Sequence, residues 1–406
     1  MEVSKEFVKL CGQVGNFTSG ITGVSLVDAY FGPDELNPEL QEFDGDTQSL
    51  TRNLRNLIDL IREEVNLPLR QEYMIGEVES MLVVVDWLSG EKMSYPDLVQ
   101  GLFGIAMKRF DDSMIDDCIA SLEAEIEGYL GADLREKVTN FTKEGEVTGE
   151  ELRELVEGEL QNKSSEVGQL FRERVFSKLG EKVQDNGVVY EAVTDKPWSG
   201  YNWYQGGFKS LNQFNVDNTF NAKTIRSVIY HEYEHHVSNL WREKNFLDSG
   251  NLELSIVPLH TGRCVISEGT ADTAKDFLGV EEDDPAVRVM TELYRLRRIT
   301  SINAAIMLNQ DGRSEEEAVE YMVENGYRTQ KAAKSSVRFI GQTTEHGRKN
   351  FWAPYIFTYF IGRQDFVFPT FLKAKEQGEI GQFFRTVYLN PYAGSSLTWN
   401  RAFEWL

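Results

Sequence analysis

Cysteine is the scarcest residue in this chain, with three in 406. Cys11, Cys118 and Cys264 are odd in number and widely spaced, and none forms a CxxC pair. A disulfide framework is therefore not expected, and a reducing compartment is. Long apolar runs are also missing. The strongest, 81–85, stops at Asp86 and is far too short to span a bilayer. The first six residues are charged and lack the apolar core of a signal peptide. The expected location is cytoplasmic, with no membrane partner. Basic residues are outnumbered by acidic ones, 42 to 65, for a net charge of −23. Such a surface repels phosphate backbones, so nucleic acid is not an expected partner. The hydrophobic content of 41% and charged content of 26% are those of a folded protein.

Histidine is nearly as rare, with five in the chain. Three of them fall between positions 231 and 236. His231-Glu232-Tyr233-Glu234-His235 is an H-E-x-x-H sequence, expected by chance about once in 200 chains of this composition. On a helix, His231 and His235 lie one turn apart on one face and can share a metal ion. Glu232 then sits beside the metal, where it can take a proton from a bound water. No Pro or Gly interrupts 224–244, and Ile225, Val228, Ile229, Tyr233, Val237 and Leu240 give an apolar stripe. His236 points about 100° away from His235 and reads as a core residue. His260 and His346 stand alone; either is a candidate oxyanion donor.

The patterning is helical almost throughout 50–182, with helices expected over 50–65, 70–88, 113–130, 150–160 and 165–179. Thr148-Gly149-Glu150-Glu151 and Ser314-x-x-Glu317 are capping boxes, and Ser94-Tyr95-Pro96-Asp97 is a further helix start. Ahead of them, Val27-Asp28-Ala29-Tyr30-Phe31 ends an element at Gly32-Pro33. Around residue 186 the texture changes. Segment 187–194 and the runs 201–207 and 208–217 read as strands of a small antiparallel sheet ahead of the motif helix. Its edge could take up an extended peptide by backbone hydrogen bonds. The expected organisation is a helical scaffold lobe, 1–185, and a second helical lobe, 186–406; the two can form one continuous domain.

A catalytic zinc usually has three protein ligands and one open position. The best third ligand is Glu268, in Ile266-Ser267-Glu268-Gly269-Thr270-Ala271-Asp272, within a helix expected over 261–278. Asp272 shares its face at i,i+4 spacing and can accept the other ring N–H of a liganding histidine. Cys264, one turn before Glu268, reads as a small buried apolar residue.

These motifs resemble the gluzincins, which use two His and a Glu. The helix-rich setting is similar to thimet oligopeptidase and carboxypeptidase Taq. More specifically, the chain resembles the domain-of-unknown-function 885 family. That resemblance rests on Val27 to Pro33, Val193-Thr194-Asp195-Lys196-Pro197-Trp198-Ser199 with Tyr201-Asn202-Trp203-Tyr204, the motif helix, Ser267-Glu268-Gly269, and Tyr355-Ile356-Phe357-Thr358-Tyr359-Phe360-Ile361-Gly362-Arg363. One departure stands out. Many members carry Pro-Gly before the second metal histidine, where this chain has Tyr233-Glu234. The resemblance implies a mainly α, zincin-like fold holding one Zn2+ per chain. It also implies a hydroxyl donor to the developing oxyanion, Tyr359 first and Tyr355 second, with Tyr359 just before a turn at Gly362-Arg363.

The expected activity is zinc-dependent hydrolysis of a peptide or small amide, with Glu232 as the base. A carboxypeptidase would also need a cation for the substrate terminus, and Arg363, Arg348 and Lys349 are the residues available. The alternative is a zinc-containing binding or regulatory protein without turnover. A purely structural zinc would normally recruit cysteine pairs, which are absent here.

Overall fold

In the computed structural model, which describes residues 2–196, 198–344 and 346–406, the chain is mainly α. Pro197, in one of the segments quoted above, lies outside the described residues, as does Met1. The helices expected at 50–65 and 70–88 are Thr47–Glu64 and Pro68–Ser89. Asp46 caps the first, accepting from the backbone N–H of Gln48 and Ser49. Pro68 opens the second, and Gly90, at φ +96°, closes it in the left-handed conformation. The third ends early, as Asp112–Glu125. The helices expected at 150–160 and 165–179 are one continuous run, Gly149–Glu154 and Gln161–Arg174 joined through a π-helical segment, Leu155–Leu160.

All three expected helix starts are present, and two of them carry their side-chain caps. Ser94 accepts from Asp97 N–H, and Ser314 and Glu317 form a reciprocal box. The box at Thr148 does not form. Its hydroxyl donates instead to the Val216 carbonyl at 3.0 Å.

The small sheet corrects the expected pairing. Its strands are Val188–Val193, Gly200–Gly206 and Lys209–Asn215, and the last lies in the middle. It pairs antiparallel with Gly200–Gly206 but parallel with Val188–Val193. The chain reverses twice, so the first and third strands run the same way. Gly206 and Gly207, both at positive φ, make the second reversal. The first strand is left with the far edge of the third. A second pairing, Val27–Tyr30 against Ile256–Pro258, ties the N-terminal region to the segment leading into the Glu268 helix.

Two apolar cores hold these elements. One joins residues between Val3 and Phe141 to residues between Leu254 and Ile361. The other gathers the three-stranded sheet, the motif helix and the C-terminal helices. Leu179 and Val188, on either side of residue 185, both belong to the second core. No helix among the described residues is long and apolar enough to cross a membrane.

Candidate metal centre

The motif helix is Ile225–Ser249, ended by Gly250 at φ +69°. It buries Ile225, Ile229, Tyr233, Val237 and Leu240, which turns His231 and His235 toward the helix Gly262–Phe277. Between these two helices the pairs His231–Asp272 and His235–Ser267 form at 2.9 and 3.2 Å, so the helices run antiparallel. The two Nε2 atoms lie 3.1 Å apart, and Glu268 Oε2 lies 3.5 Å from one and 3.8 Å from the other. Three zinc bonds of about 2.1 Å in tetrahedral geometry set ligand atoms about 3.4 Å apart. The three side chains therefore fit a tetrahedral ion with one position left open. Two further observations support that fit. Glu268 Oε2 is buried with no hydrogen-bond partner among the described residues. Both histidines use Nδ1 for Asp272 and Ser267, which leaves Nε2 facing the common point.

The ionisable groups at this point are driven in opposite directions. Burial pushes His231 down, but the hydrogen bond and charge of Asp272, with Glu232 and Glu268, outweigh it and lift the imidazole to about 9. Burial, the charge on His231 and Arg263 hold His235 well below the usual histidine range. Burial raises Glu268 to about 7 despite His231. Burial also acts on Asp272, but Arg298 and His231 hold its carboxyl below the ordinary carboxylate range.

Glu232 lines the cavities on both sides of the ligands, and its carboxyl is raised by burial against the pull of His231. Tyr355 donates to Glu268 Oε1 at 3.1 Å, so its hydroxyl already holds the Glu268 carboxyl in place. Tyr359, one turn on, lines both cavities with its ring under the Arg298 guanidinium. The expected turn at Gly362-Arg363 is helical instead. Ile356–Ile361 continues through the π-helical Gly362–Val367 into Phe368–Glu376, because Gly362 crosses Gly269 at backbone contact.

The other histidines sit as follows. His236 is buried between Ser210 Oγ at 2.9 Å and Asp185 Oδ1 at 3.1 Å, as a core residue should be. His260 is fully buried against Phe351, with ring centroids 4.0 Å apart, and lines neither cavity at the ligands. His346 lines a separate cavity. Cys264 is buried, as expected, although it borders the site. Arg363 is engaged by Asp276 at 2.7 Å and the Asp272 carbonyl at 2.9 Å.

The sequence reading missed several residues. Arg298, which pairs with Asp272, lies in the distant helix Pro285–Asn309 and carries no local signal. Ser267, beside Glu268, and Asn239, one turn after His235, could have been read from spacing. Gly200, Tyr201 and Asn202, in the sheet's edge strand, line the smaller cavity, and the Asn202 side chain donates to the Glu232 carbonyl at 3.3 Å.

No protein-family profile matches the chain, and no curated protein sequence matches it. Its fold is shared with a solved protein from Colwellia psychrerythraea, provisionally described as a lipoprotein, at a TM-score of 0.54 and 15% identity, over 88% of this chain and 69% of that one. A second, from Shewanella oneidensis, also provisionally described as a lipoprotein and of unknown function, aligns at 0.47 and 11% identity over 89% of this chain and 73% of that one.

Proposed function

We propose that the protein is a gluzincin-like zinc hydrolase that cleaves peptide or small amide bonds in the cytoplasm. The observation that carries this is the convergence of His231 Nε2, His235 Nε2 and Glu268 Oε2 beside Glu232 in a cleft. When bound there, zinc would lower the pKa of a ligated water from about 15.7 toward ~7 and polarise the scissile carbonyl. Glu232 takes the proton of the attacking water on its carboxylate and passes it to the leaving amine. Tyr359 donates its hydroxyl to the developing oxyanion, a contribution of about 3 kcal/mol from one such donor. Tyr355, Ser267 and Asp272 position the ligands. The free edge of Gly200–Gly206 aligns an extended substrate.

The test is elemental analysis of the purified protein followed by hydrolysis of mixed peptides. About one zinc per chain is expected, with hydrolysis lost to a chelator and restored by zinc. Glu232→Gln is expected to keep the metal and lose turnover by about 10²-fold or more. No metal uptake, or full activity in that variant, would overturn the reading.

A further inference from the structure

The ladder between the two site helices continues past the metal ligands. His231 faces Asp272 and His235 faces Ser267; one turn further, Asn239 and Arg263 come into register. Both line the smaller cavity, about 210 Å³, on the His235 side of the ligands. Its wall also carries Asp28, whose carboxylate accepts a hydrogen bond from Tyr201.

Arg263 is a cation without an anion. Its Nε is buried with no hydrogen-bond partner, and its guanidinium makes no ion pair among the described residues. Glu77 and Asp28 act on the guanidinium through their charge alone, and Glu77 is drawn to the Arg263 backbone N–H instead. Asn239 Oδ1 is likewise buried and unpartnered. The larger cavity on the other side, about 870 Å³, differs. There Arg298 is paired with Asp272, Arg363 with Asp276, Lys275 with Glu282 and Arg295 with Glu292. A substrate anion entering this cleft therefore finds its unclaimed guanidinium at Arg263.

We propose that Arg263 is the subsite for a substrate carboxylate, that Asn239 Oδ1 in the same cavity accepts a substrate backbone N–H, and that the smaller cavity seats the C-terminal residue of a peptide, making the enzyme a carboxypeptidase. This rests on the hydrolase reading above. The scale suits one residue: a helical turn advances about 5.4 Å, while one extended residue spans about 3.5 Å and a guanidinium–carboxylate hydrogen bond adds about 2.8 Å. An aspartate or glutamate side chain of the substrate offers the same chemistry, and the test separates the two sources.

Zinc-loaded protein is titrated calorimetrically with N-benzoyl-glycyl-leucine, with its C-terminal amide, and with N-benzoyl-glycyl-glutamate α-amide, whose carboxylate is in the side chain alone. The titrations are repeated on chelated protein, where a carboxylate has no zinc to bind. The free acid is expected to bind ~10- to 100-fold more tightly than its amide in both forms, the worth of a charge-assisted fork. Arg263→Met is expected to erase that preference, and Arg263→Lys to restore only part of it, since an ammonium lacks the planar fork. Preference for the side-chain acid instead would overturn the carboxypeptidase assignment. Equal binding of all three by the wild type would overturn the subsite, whether or not Arg263→Met folds. A preference for the free acid with no hydrolysis would sink the hydrolase reading while the subsite stands. Hydrolysis with no preference for the free acid would do the reverse.

Discussion

At the scale of single residues, the site is organised by what holds its candidate ligands as much as by those side chains themselves. Each histidine is oriented through Nδ1, and Glu268 through the Tyr355 hydroxyl. Asp272 matters most among these partners, because Arg298 keeps it ionised with hydrogen bonds to both its oxygens. A carboxylate so held fixes the His231 tautomer and strengthens the imidazole as a donor. Asp272→Asn removes the charge, keeps the shape and leaves Arg298 half-buried without its anion. We expect zinc affinity to fall ~10- to 100-fold, read by competition with a chromogenic chelator. Unchanged affinity would mean that His231 is oriented by helix geometry alone.

At the scale of elements, what could be read in the sequence was what has a local period. The motif helix, the Glu268 helix and the helix at 50–65 carry apolar stripes, the helix at 70–88 is apolar all round, and each exists within a few residues of its expected bounds. The convergence of His231, His235 and Glu268 followed from helical spacing plus one distant carboxylate. What failed was decided by tertiary contact. The helix Glu2–Thr22 contains Gly12 and Gly15, poor helix formers. They serve there because a Cβ on Gly12 would lie 2.8 Å from Gln41 and one on Gly15 2.9 Å from Ser25. Thr148 gave up its cap for the Val216 carbonyl, a partner 68 residues away. The parallel strand pairing is a property of strand order, which no strand carries alone. Gly362 read as a turn, yet it is the crossing point of two helices. A Cβ there would sit 1.9 Å from the Val265 carbonyl oxygen and 3.0 Å from the Gly269 nitrogen. That contact sets how far Tyr355 and Tyr359 stand from the ligands. Gly362→Ala is expected to cost about 1–3 kcal/mol through overpacking. The measurement is the denaturant midpoint of variant and wild type at equal slope. An unshifted midpoint would show that the crossing can relax freely.

At the scale of the whole molecule, the N-terminal helices do more than wall the cleft. Arg70, on Pro68–Ser89, forks onto Glu253 at 2.7 and 3.2 Å, and Arg242 of the motif helix reaches Tyr73 at 3.1 Å and the carbonyls of Glu253 and Ile256 at 3.0 Å. The same helix brings Glu77 into the interior, 2% exposed, where the Arg263 backbone N–H and the charges of Arg263 and Arg242 act on it. Burial lifts its carboxyl from 4.5 to about 7, with the charges of Arg263 and Arg242 offsetting only part of the shift. The folded chain therefore holds this proton more tightly than the unfolded chain does. Its contribution to stability is fully present below about 4.5 and is lost as pH rises through about 7. Glu77→Gln keeps the neutral shape at every pH. Relative to wild type, the variant should gain on the order of 2 kcal/mol between pH 5 and pH 8, measured by chemical denaturation at both. If the difference between variant and wild type stays flat across that range, Glu77 is ionised throughout. The two arginines would then hold it as a buried ion pair, and Arg263 would be less free to take a substrate carboxylate than its geometry suggests.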